Sequence, residues 1–351
     1  MRVVVVGASG NVGTSLLDAL APDDRVESVL GIARRRVELE VPKVEWAQAD
    51  VGSTDLMPLF KGADAVVHLA WLIQPSRDPV RLRRVNVDGS ARVFRAVADA
   101  RVKTLVYASS VGAYSPGPKN RRVDESWPVG GVGTSLYGRQ KAAVESLLDR
   151  FQRERPRTRV VRLRPGLVFK REAASEIRRL FAGPFLPSPL LHPALLRLVP
   201  DVPGLRAQGV HSRDVGEAYR LAVVGDARGA FNIAAEPVLD AHEVAHALGA
   251  RTVPLPASAA RAAVAASYRL RLQPSEPGWI DLALNVPLLD TTRAEQELGW
   301  QPQQSATDAL LEVIDGMRER AGLDTPPLAS GAGGPLRGEE LLTGVGARER
   351  P

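Results

Sequence analysis

The feature that most constrains the fold is an apolar strand at the N-terminus, followed at once by a glycine-rich turn. Residues 1–6 contain four consecutive valines, and this lack of polar alternation predicts a strand buried on both faces, as in a parallel sheet. Gly7, Gly10 and Gly13 then follow at intervals of three, and a helix is predicted from Thr14 to about Leu20. Strand, glycine turn and helix in this order predict the first unit of a doubly wound α/β fold.

The glycine turn has the chemistry of a pyrophosphate site. Gly7 permits a tight turn, Gly10 lets the backbone approach a phosphate, and Gly13 lets the helix pack close to the strand. The N–H groups at the helix N-terminus would face the phosphates of a dinucleotide. The spacing differs from the G-x-G-x-x-G of the commonest dehydrogenases, and a turn without a ligand is the alternative. The expected cofactor contacts of the turn are Gly7, Ser9, Gly10, Asn11, Val12 and Gly13.

The end of the second predicted strand, residues 26–33, indicates which coenzyme is bound. Arg34, Arg35 and Arg36 follow it, at the place where an acidic residue would bind the ribose hydroxyls and where arginine suits a 2′-phosphate. We therefore favour NADP over NAD, with Arg34 and Arg35 as the phosphate contacts. A solvated basic turn is the alternative, because arginine is abundant throughout the chain.

Tyr137 and Lys141 stand one helical turn apart and so share a face of a predicted helix. Near a cofactor, the ammonium is expected to lower the pKa of the tyrosine, which makes Tyr137 a general acid/base for an alcohol or carbonyl oxygen. Ser109 and Ser110 end the fifth predicted strand, where an open α/β sheet holds its ligands. A tyrosine–lysine pair alone is weak evidence for a catalytic site, and the glycine turn and the two serines strengthen that evidence.

From Met1 to about Pro302 the chain resembles the extended short-chain dehydrogenase/reductases, the NAD(P)-dependent epimerase/dehydratase group, because the motifs of that group occur in its order. The resemblance implies that Tyr137 is the catalytic acid/base, that Lys141 binds the nicotinamide ribose, and that Ser110 hydrogen-bonds the reacting oxygen. The motifs are the glycine turn, Asp50-Val51, His68-Leu69-Ala70, Asn86-Val87-Asp88-Gly89, Ser109-Ser110 with Tyr114, Tyr137 with Lys141, Arg164-Pro165-Gly166, and residues 210–215, 231–233 and 297–300.

Strand ends and the resemblance give the remaining cofactor contacts. We expect Asp50 to accept from the adenine amino group, and the backbone of Leu69 and Ala70 to pass under the cofactor. Asn86 is expected to hold a cofactor hydroxyl or a water, with a surface position as the alternative. The other expected cofactor contacts are Val51, Ser109, Tyr137, Lys141, Pro165 and Val168.

The net reaction stays open between oxidation or reduction, epimerisation and dehydration. Val111-Gly112 follows the serines where a dehydratase would commonly have an Asp-Glu pair, which counts against dehydration. Leu167 stands where sugar-nucleotide members have an asparagine near the substrate phosphates, and residues 183–203 are rich in Pro and Leu. We therefore expect a substrate less polar than a sugar nucleotide, bound under the 183–203 segment; covering the core or a contact in a homodimer are the alternative roles of that segment.

Two domains and a tail are predicted. The Rossmann domain comprises residues 1–165 and 206–235, and a smaller, discontinuous substrate domain comprises 166–205 and 236–320. Residues 321–351 have little periodic apolar content and are expected to form a disordered tail.

Composition excludes several other kinds of site. The chain has no cysteine, so disulfides, thiolate metal sites and cysteine nucleophiles are excluded. There is no long apolar run and no signal peptide, which predicts a cytoplasmic protein with a small-molecule substrate and no membrane partner. The net charge is +6, but the arginines are scattered and no nucleic-acid surface is expected. His242-Glu243-x-x-His246 matches a zinc-protease pattern on a predicted surface helix, and no metal is expected there.

Two alternative functions stay open on the same fold. One is a nucleotide-sugar epimerase or dehydratase with tightly bound NAD, which uses the same serine, tyrosine and lysine. The other is a non-catalytic NADP-binding redox sensor. The presence of Ser110, Tyr137 and Lys141 together argues against the sensor, because a sensor does not need them.

Overall fold

The computed structural model describes residues 1–73, 78–181, 197–270 and 275–329. The strands are β1 (Arg2–Val6), β2 (Ser28–Ala33), β3 (Val44–Gln48), β4 (Ala65–His68), β5 (Thr104–Ala108), β6 (Arg122–Val123), β7 (Arg159–Pro165), β8 (Leu167–Phe169), β9 (Leu198–Asp201), β10 (Gly209–His211), β11 (Gly229–Ile233), β12 (Arg251–Pro254) and β13 (Leu288–Leu289). The helices are α1 (Asn11–Leu20), α2 (Met57–Phe60), α3 (Pro79–Arg83), α4 (Gly89–Asp99), α5 (Leu136–Glu154), α6 (Ala174–Phe181), α7 (Ser212–Val224), α8 (Ala241–Leu248), α9 (Ala257–Arg269), α10 (Gly278–Asn285) and α11 (Ala306–Glu319).

Seven strands form one parallel sheet in the order β11-β7-β5-β4-β1-β2-β3. The predicted doubly wound α/β fold is confirmed. The strand order reverses between β1 and β4, and in open sheets of this kind the crevice at such a reversal, beyond the carboxyl ends of the strands, is where ligands bind. The glycine turn lies at this point, because it directly follows β1.

The valines of β1 explain why its sequence lacks polar alternation. Val3 and Val5 pack into one core cluster together with apolar residues of α1 and α7. Val4 and Val6 point to the opposite face, into a second cluster with apolar residues of α4 and α5. Both faces of the strand are therefore covered by helices, as an apolar run of this length predicts.

Helix α1 is held against α7 by close backbone contact and by polar side chains. A Cβ atom on Gly216 would lie 2.6 Å from the carbonyl oxygen of Ser15, so only glycine fits at this crossing. The hydroxyls of Ser15 and Ser212 are 2.9 Å apart, and Ser212 Oγ also donates to the carbonyl of Asn11 at 3.1 Å. The first turns of α1 are thus fixed by a helix two hundred residues further along the chain.

Three short parallel strand pairs lie outside the main sheet: β8 with β10, β9 with β12, and β6 with β13. The division into a Rossmann and a substrate domain stays a prediction. The predicted start of the tail is wrong, because the N–H of Leu323 donates to the carbonyl of Leu328 and the side chains of Thr325 and Leu328 are buried. Most of the predicted 183–203 loop, and the tail from residue 330, lie outside the described residues. In the described ranges, no helix has the length and apolar character needed to span a bilayer.

Candidate active site

The three glycines of the turn have different reasons to be glycine. Gly7 has a φ of +88°, and a Cβ atom there would lie 2.7 Å from the backbone nitrogen of Ala70, so the end of β4 runs directly against the turn. A Cβ atom on Gly13 would lie 2.5 Å from the carbonyl oxygens of both Gly7 and Ala8. At Gly10 the nearest atom would be 3.6 Å away, which leaves this position open to a ligand. Gly7 and Gly13 close the turn, and Gly10 gives access to it.

The surroundings of the α1 N-terminus fit a pyrophosphate. Gly10 is the N-cap residue and no side chain caps the helix, so the first N–H groups are left for a ligand. Asn11 Nδ2 donates to the carbonyl of Val168 at 3.4 Å, while its Oδ1 is buried without a hydrogen-bond partner among the described residues. Val168 is thereby brought to the turn, as expected. Ser9 is buried, Val12 is half-buried, and Pro165 is buried at the end of β7.

The expected adenosine contacts lie at the ends of two neighbouring strands. Arg34 and Arg35 follow β2, and Asp50 follows the adjacent β3. One oxygen of Asp50 accepts from the N–H of Gly52 at 2.7 Å, which fixes the carboxylate at the strand end. Val51 instead packs its side chain into the second core cluster.

Asn86 is engaged by the protein itself, rather than free for a cofactor hydroxyl. It lies in a π-helical turn, Arg84–Asp88, between α3 and α4. Its Oδ1 accepts from the N–H of Leu72 at 2.7 Å, and its Nδ2 donates to the carbonyl of Leu72 at 3.2 Å and to Gln140 at 2.9 Å. Asn86 therefore ties the segment after β4 to α5. A cofactor contact through Asn86 stays a prediction, and both polar atoms of its side chain already make hydrogen bonds within the protein.

Helix α5 brings the tyrosine and lysine to the end of β5, beside the serines. Ser110 is close enough to Tyr137 to favour the ionised form of the phenol, and Ser110 Oγ accepts from the N–H of Gly112 at 3.0 Å. Lys141 Nζ donates to the carbonyl of Ala108, the last residue of β5, at 2.7 Å. A Cβ atom on Gly112 would lie 2.7 Å from the Tyr137 ring, so glycine at this position makes room for the ring. Ser110, Tyr137 and Lys141 thus form one group, as the sequence predicted.

The expected lowering of the Tyr137 pKa beside a bound cofactor stays a prediction, and burial acts in the opposite direction. Burial raises the pKa of Tyr137 to about 12, and the nearby Ser110 side chain opposes this only in part. Lys141 Nζ lies 5.9 Å from the centre of the Tyr137 ring. Burial also lowers the pKa of Lys141 to about 7, against the opposing charge of Glu145. The amine is therefore only partly charged near neutral pH, which weakens its influence on the phenol.

Ser109 points away from the reacting group, into a buried charge cluster around Glu145. Ser109 Oγ donates to Glu145 at 2.5 Å. Arg164 donates to both oxygens of Glu145, at 2.8 and 3.0 Å, and Arg162 donates to it at 2.8 Å. Although burial opposes ionisation, the two arginines and Ser109 together lower the pKa of Glu145 to about 2. This cluster fixes the strand end that carries Ser110.

Two tryptophans flank Tyr137. The rings of Trp71 and Tyr137 meet edge to face, with 5.9 Å between their centres. The ring of Trp279, from α10, also packs on Tyr137, with 5.0 Å between the two ring centres. The ammonium of Lys141 is 3.7 Å from the centre of the Trp71 ring. The proposed acid/base therefore has aromatic neighbours from two other segments of the chain.

Two of the described histidines, His68 and His242, contact polar groups other than Tyr137 and Ser110. His68 is buried and bonds Ser90 at 2.9 Å, and burial with the charge of Lys141 lowers its pKa to about 3. His242 lies 3.7 Å from Asp201. In the part of the chain that the structure describes, no three His, Cys, Asp or Glu side chains are grouped so that they could hold a metal ion.

Sequence reasoning missed three residues of the site. Glu145 had a signal, because it continues the four-residue spacing of Tyr137 and Lys141 along one helix face. Trp71 directly follows a recognised motif, but its contact with Lys141 depends on the fold. Trp279 had no signal, since only tertiary packing brings α10 to α5.

Comparison with known proteins gives relatives of several kinds. The chain is 27% identical to an uncharacterized protein of Mycobacterium bovis over 326 residues. This match covers 92% of this chain and 31% of that protein. It is 30% identical over 173 residues to a 4-hydroxy-2-methyl-3-oxo-4-farnesyl-3,4-dihydroquinoline-1-oxide ketoreductase of Stigmatella aurantiaca, covering 48% of this chain and 51% of that one. The chain thus spans about a third to a half of the length of these curated relatives.

Among solved structures, the chain is similar to UDP-glucose 4-epimerase of Thermus thermophilus in complex with NAD. The TM-score is 0.66 and the identity 23%, over 91% of this chain and 99% of that one. A likeness at this identity shows the fold. The model of the NAD dependent epimerase/dehydratase family matches residues 3–182, about half of the chain, which include the glycine turn and the Ser110, Tyr137 and Lys141 group. The chain therefore belongs to the NAD dependent epimerase/dehydratase family.

Proposed function

We propose that this protein is an NAD(P)-dependent oxidoreductase or epimerase that acts at a secondary alcohol or carbonyl group. The observation that carries the proposal is the grouping of Ser110, Tyr137 and Lys141 at the end of β5, in the same parallel sheet as the strand that leads into the glycine turn. When bound, the nicotinamide cofactor supplies or accepts the hydride. Tyr137 moves the proton on the substrate oxygen, and Ser110 stabilises charge that develops there.

Lys141 has two tasks in this proposal. Its ammonium binds the nicotinamide ribose, and its charge favours the phenolate of Tyr137. Burial opposes both tasks, because it raises the pKa of Tyr137 and lowers that of Lys141. Contacts that a bound cofactor adds to the ammonium would favour its charged form and shift the pair toward the working state.

We favour NADP as the coenzyme and a substrate less polar than a sugar nucleotide. The choice of NADP is supported by Arg34 and Arg35 at the end of β2. The less polar substrate is supported by Leu167 and by the ketoreductase relative. A nucleotide-sugar epimerase with tightly bound NAD is the rival, supported by the fold shared with UDP-glucose 4-epimerase. Arg34→Glu is expected to reduce affinity for NADPH about tenfold or more while leaving that for NADH nearly unchanged. An unchanged ratio of the two affinities would remove the arginine from this role.

The test of the proposed function is a Tyr137→Phe substitution. An absorbance screen at the nicotinamide band, with both coenzymes and panels of ketones, steroids and nucleotide sugars, identifies a substrate for the unmodified protein. Tyr137→Phe is then expected to lower kcat about 100-fold or more, since proton transfer is lost, while coenzyme affinity is retained. Turnover that survives the substitution would contradict the proposed role, and a coenzyme-dependent output without turnover would favour a redox sensor.

A further inference from the structure

Two partly exposed tryptophan rings flank the proposed acid/base. Tyr137 of α5 lies between Trp71, from the segment after β4, and Trp279 of α10. The planes of Tyr137 and Trp279 are tilted by only 33°, so the two rings are close to stacked, whereas Trp71 meets Tyr137 at 76°. The group that reacts with the substrate oxygen is thus set in an aromatic surface.

The surroundings of Trp279 are apolar as well. Val132, Leu282 and Val286 form a buried cluster, and Trp279 and Tyr137 pack against it together with Val111, the residue after Ser110. Hydroxyl groups placed against these side chains would lose their bonds to water and gain none in return. This side of the site therefore disfavours a hydroxyl-rich pyranose ring next to the reacting carbon.

Lys119 and Arg261, two cations of the described residues that contact α10, are both engaged by the protein. Lys119 Nζ donates to the carbonyl of Ala283 in α10 at 2.7 Å and to that of Arg206 at 2.9 Å. Burial, with the charge of Arg206, lowers the pKa of Lys119 to about 8. Arg261 donates to both carboxylate oxygens of Asp281 in α10, at 2.7 and 3.0 Å. Neither side chain is therefore a free cation for a diphosphate.

Trp71 and Trp279 differ in how they are held. Trp71 covers the Lys141 ammonium, and Asn86 clamps both backbone groups of the next residue, Leu72. A change at Trp71 therefore disturbs the catalytic group itself. Trp279 is the second residue of α10 and packs on the Tyr137 ring from that helix. A change at Trp279 leaves the contact between Trp71 and Lys141 in place, and comparing two ketones within one variant cancels any effect of the change on Tyr137.

Building on the function proposed above, we propose that Trp279 determines substrate specificity. Its ring selects a ketone or secondary alcohol whose reacting carbon carries a planar aromatic group. Such a group can stack on Trp279 while its oxygen reaches Tyr137 and Ser110, and stacking of aromatic rings is favoured beyond the apolar area that it buries. A saturated ring of the same size has no such preference.

The test compares two ketones that differ only in ring saturation, 2-acetylnaphthalene and its decahydro counterpart. Dissociation constants are measured by calorimetry on the full chain saturated with NADP⁺, which forms no product with a ketone. The variants are Trp279→Leu and Trp279→Phe, with NADP⁺ affinity as the control for folding. The unmodified protein is expected to bind the planar ketone about tenfold more tightly than the saturated one. Trp279→Leu should lose this preference and Trp279→Phe should keep most of it, each with NADP⁺ affinity unchanged.

Three results would overturn the inference. One is equal binding of both ketones by the unmodified protein, and another is a preference that persists in Trp279→Leu. The third is binding of UDP-glucose with no binding of either ketone. In each of these cases, the proposed function survives if the coenzyme is bound and a substrate is turned over in a manner that depends on Tyr137. Failure to bind either coenzyme would overturn the proposed function, and this inference with it.

Discussion

Replacing Glu145 with glutamine tests how strongly the buried charge cluster under the site stabilises the fold. The substitution keeps the size of the side chain and removes its charge. Glu145 is 1% exposed, and Arg162 and Arg164 are 6% and 4% exposed, so water cannot replace the lost carboxylate. Glutamine keeps only one acceptor oxygen, so Arg164 would lose one of its two bonds and its charged partner at position 145, while Arg162 would keep its pair with Asp149 at 2.6 Å.

The magnitude follows from burial. Removing one partner of a buried ion pair typically costs about 3–5 kcal/mol, and we expect Glu145→Gln to lower the free energy of unfolding by about this amount. The matched control is Glu297→Gln. Glu297 pairs with Arg293 at 2.9 Å, almost the same distance as in the buried cluster, but its side chain is half-exposed. Exposed pairs contribute about 0–1 kcal/mol, so the two variants should differ by several kcal/mol.

The assay is urea unfolding followed by tryptophan fluorescence, repeated across pH. The pKa of Glu145 is lowered from its ordinary 4.5 to about 2 in the folded chain. A lowered carboxyl pKa contributes stability that is present above the unfolded value and is lost as pH falls through the folded one. The gap between the unmodified protein and Glu145→Gln should therefore be largest above pH 5 and should narrow toward pH 2. Equal losses in the two variants, or a gap that does not change with pH, would refute this reasoning.

Two further predictions concern the glycine turn and Lys141, the proposed cofactor site and the proposed partner of Tyr137. Gly13→Ala places a Cβ atom 2.5 Å from two backbone oxygens, and should lower the free energy of unfolding by about 1–3 kcal/mol and weaken coenzyme binding. The control is Gly133→Ala, because a Cβ atom added there would have no other atom within 4 Å; this variant should keep both the free energy of unfolding and the coenzyme affinity unchanged. Unaltered coenzyme affinity in Gly13→Ala would contradict the proposed role of the turn. Burial lowers the pKa of the Lys141 amine to about 7, so the unfolded chain binds a proton at this amine more tightly than the folded chain does. The free energy of unfolding should therefore rise by about 2 kcal/mol between pH 7 and pH 9. Lys141→Met should lack this rise in denaturant titrations at the two pH values; an identical rise in both proteins would show that the amine is not the group responsible.

The parts of the fold that local pattern determines were predictable. The valine run of β1 and the spacing of Gly7, Gly10 and Gly13 predicted the first βα unit, because one buried strand and a close helix leave few other choices of residue. Tyr137 and Lys141 were predictable as a pair for the same reason, since helix geometry alone places them on one face.

The parts that depend on tertiary contact were not predictable. Burial raises the pKa of Tyr137, and the aromatic neighbours of its ring, Trp71 and Trp279, come from other segments of the chain. The polar atoms of Asn86 are taken up by Leu72, which lies fourteen residues earlier in the chain. Neither the burial of one group nor the partner of another can be read from local spacing, since both are set by segments that pack together only in the fold.

The packing of α1 on α7 has a consequence for the order in which the protein forms during synthesis. Leu16, Leu17 and Leu20 of α1 are completely buried, in the core cluster that includes apolar residues of α7. A growing chain that has not yet reached α7 leaves this apolar face uncovered. The glycine turn leaves the ribosome early. It can reach its final packed conformation only after α7 has been made, which is roughly the first two-thirds of the polypeptide.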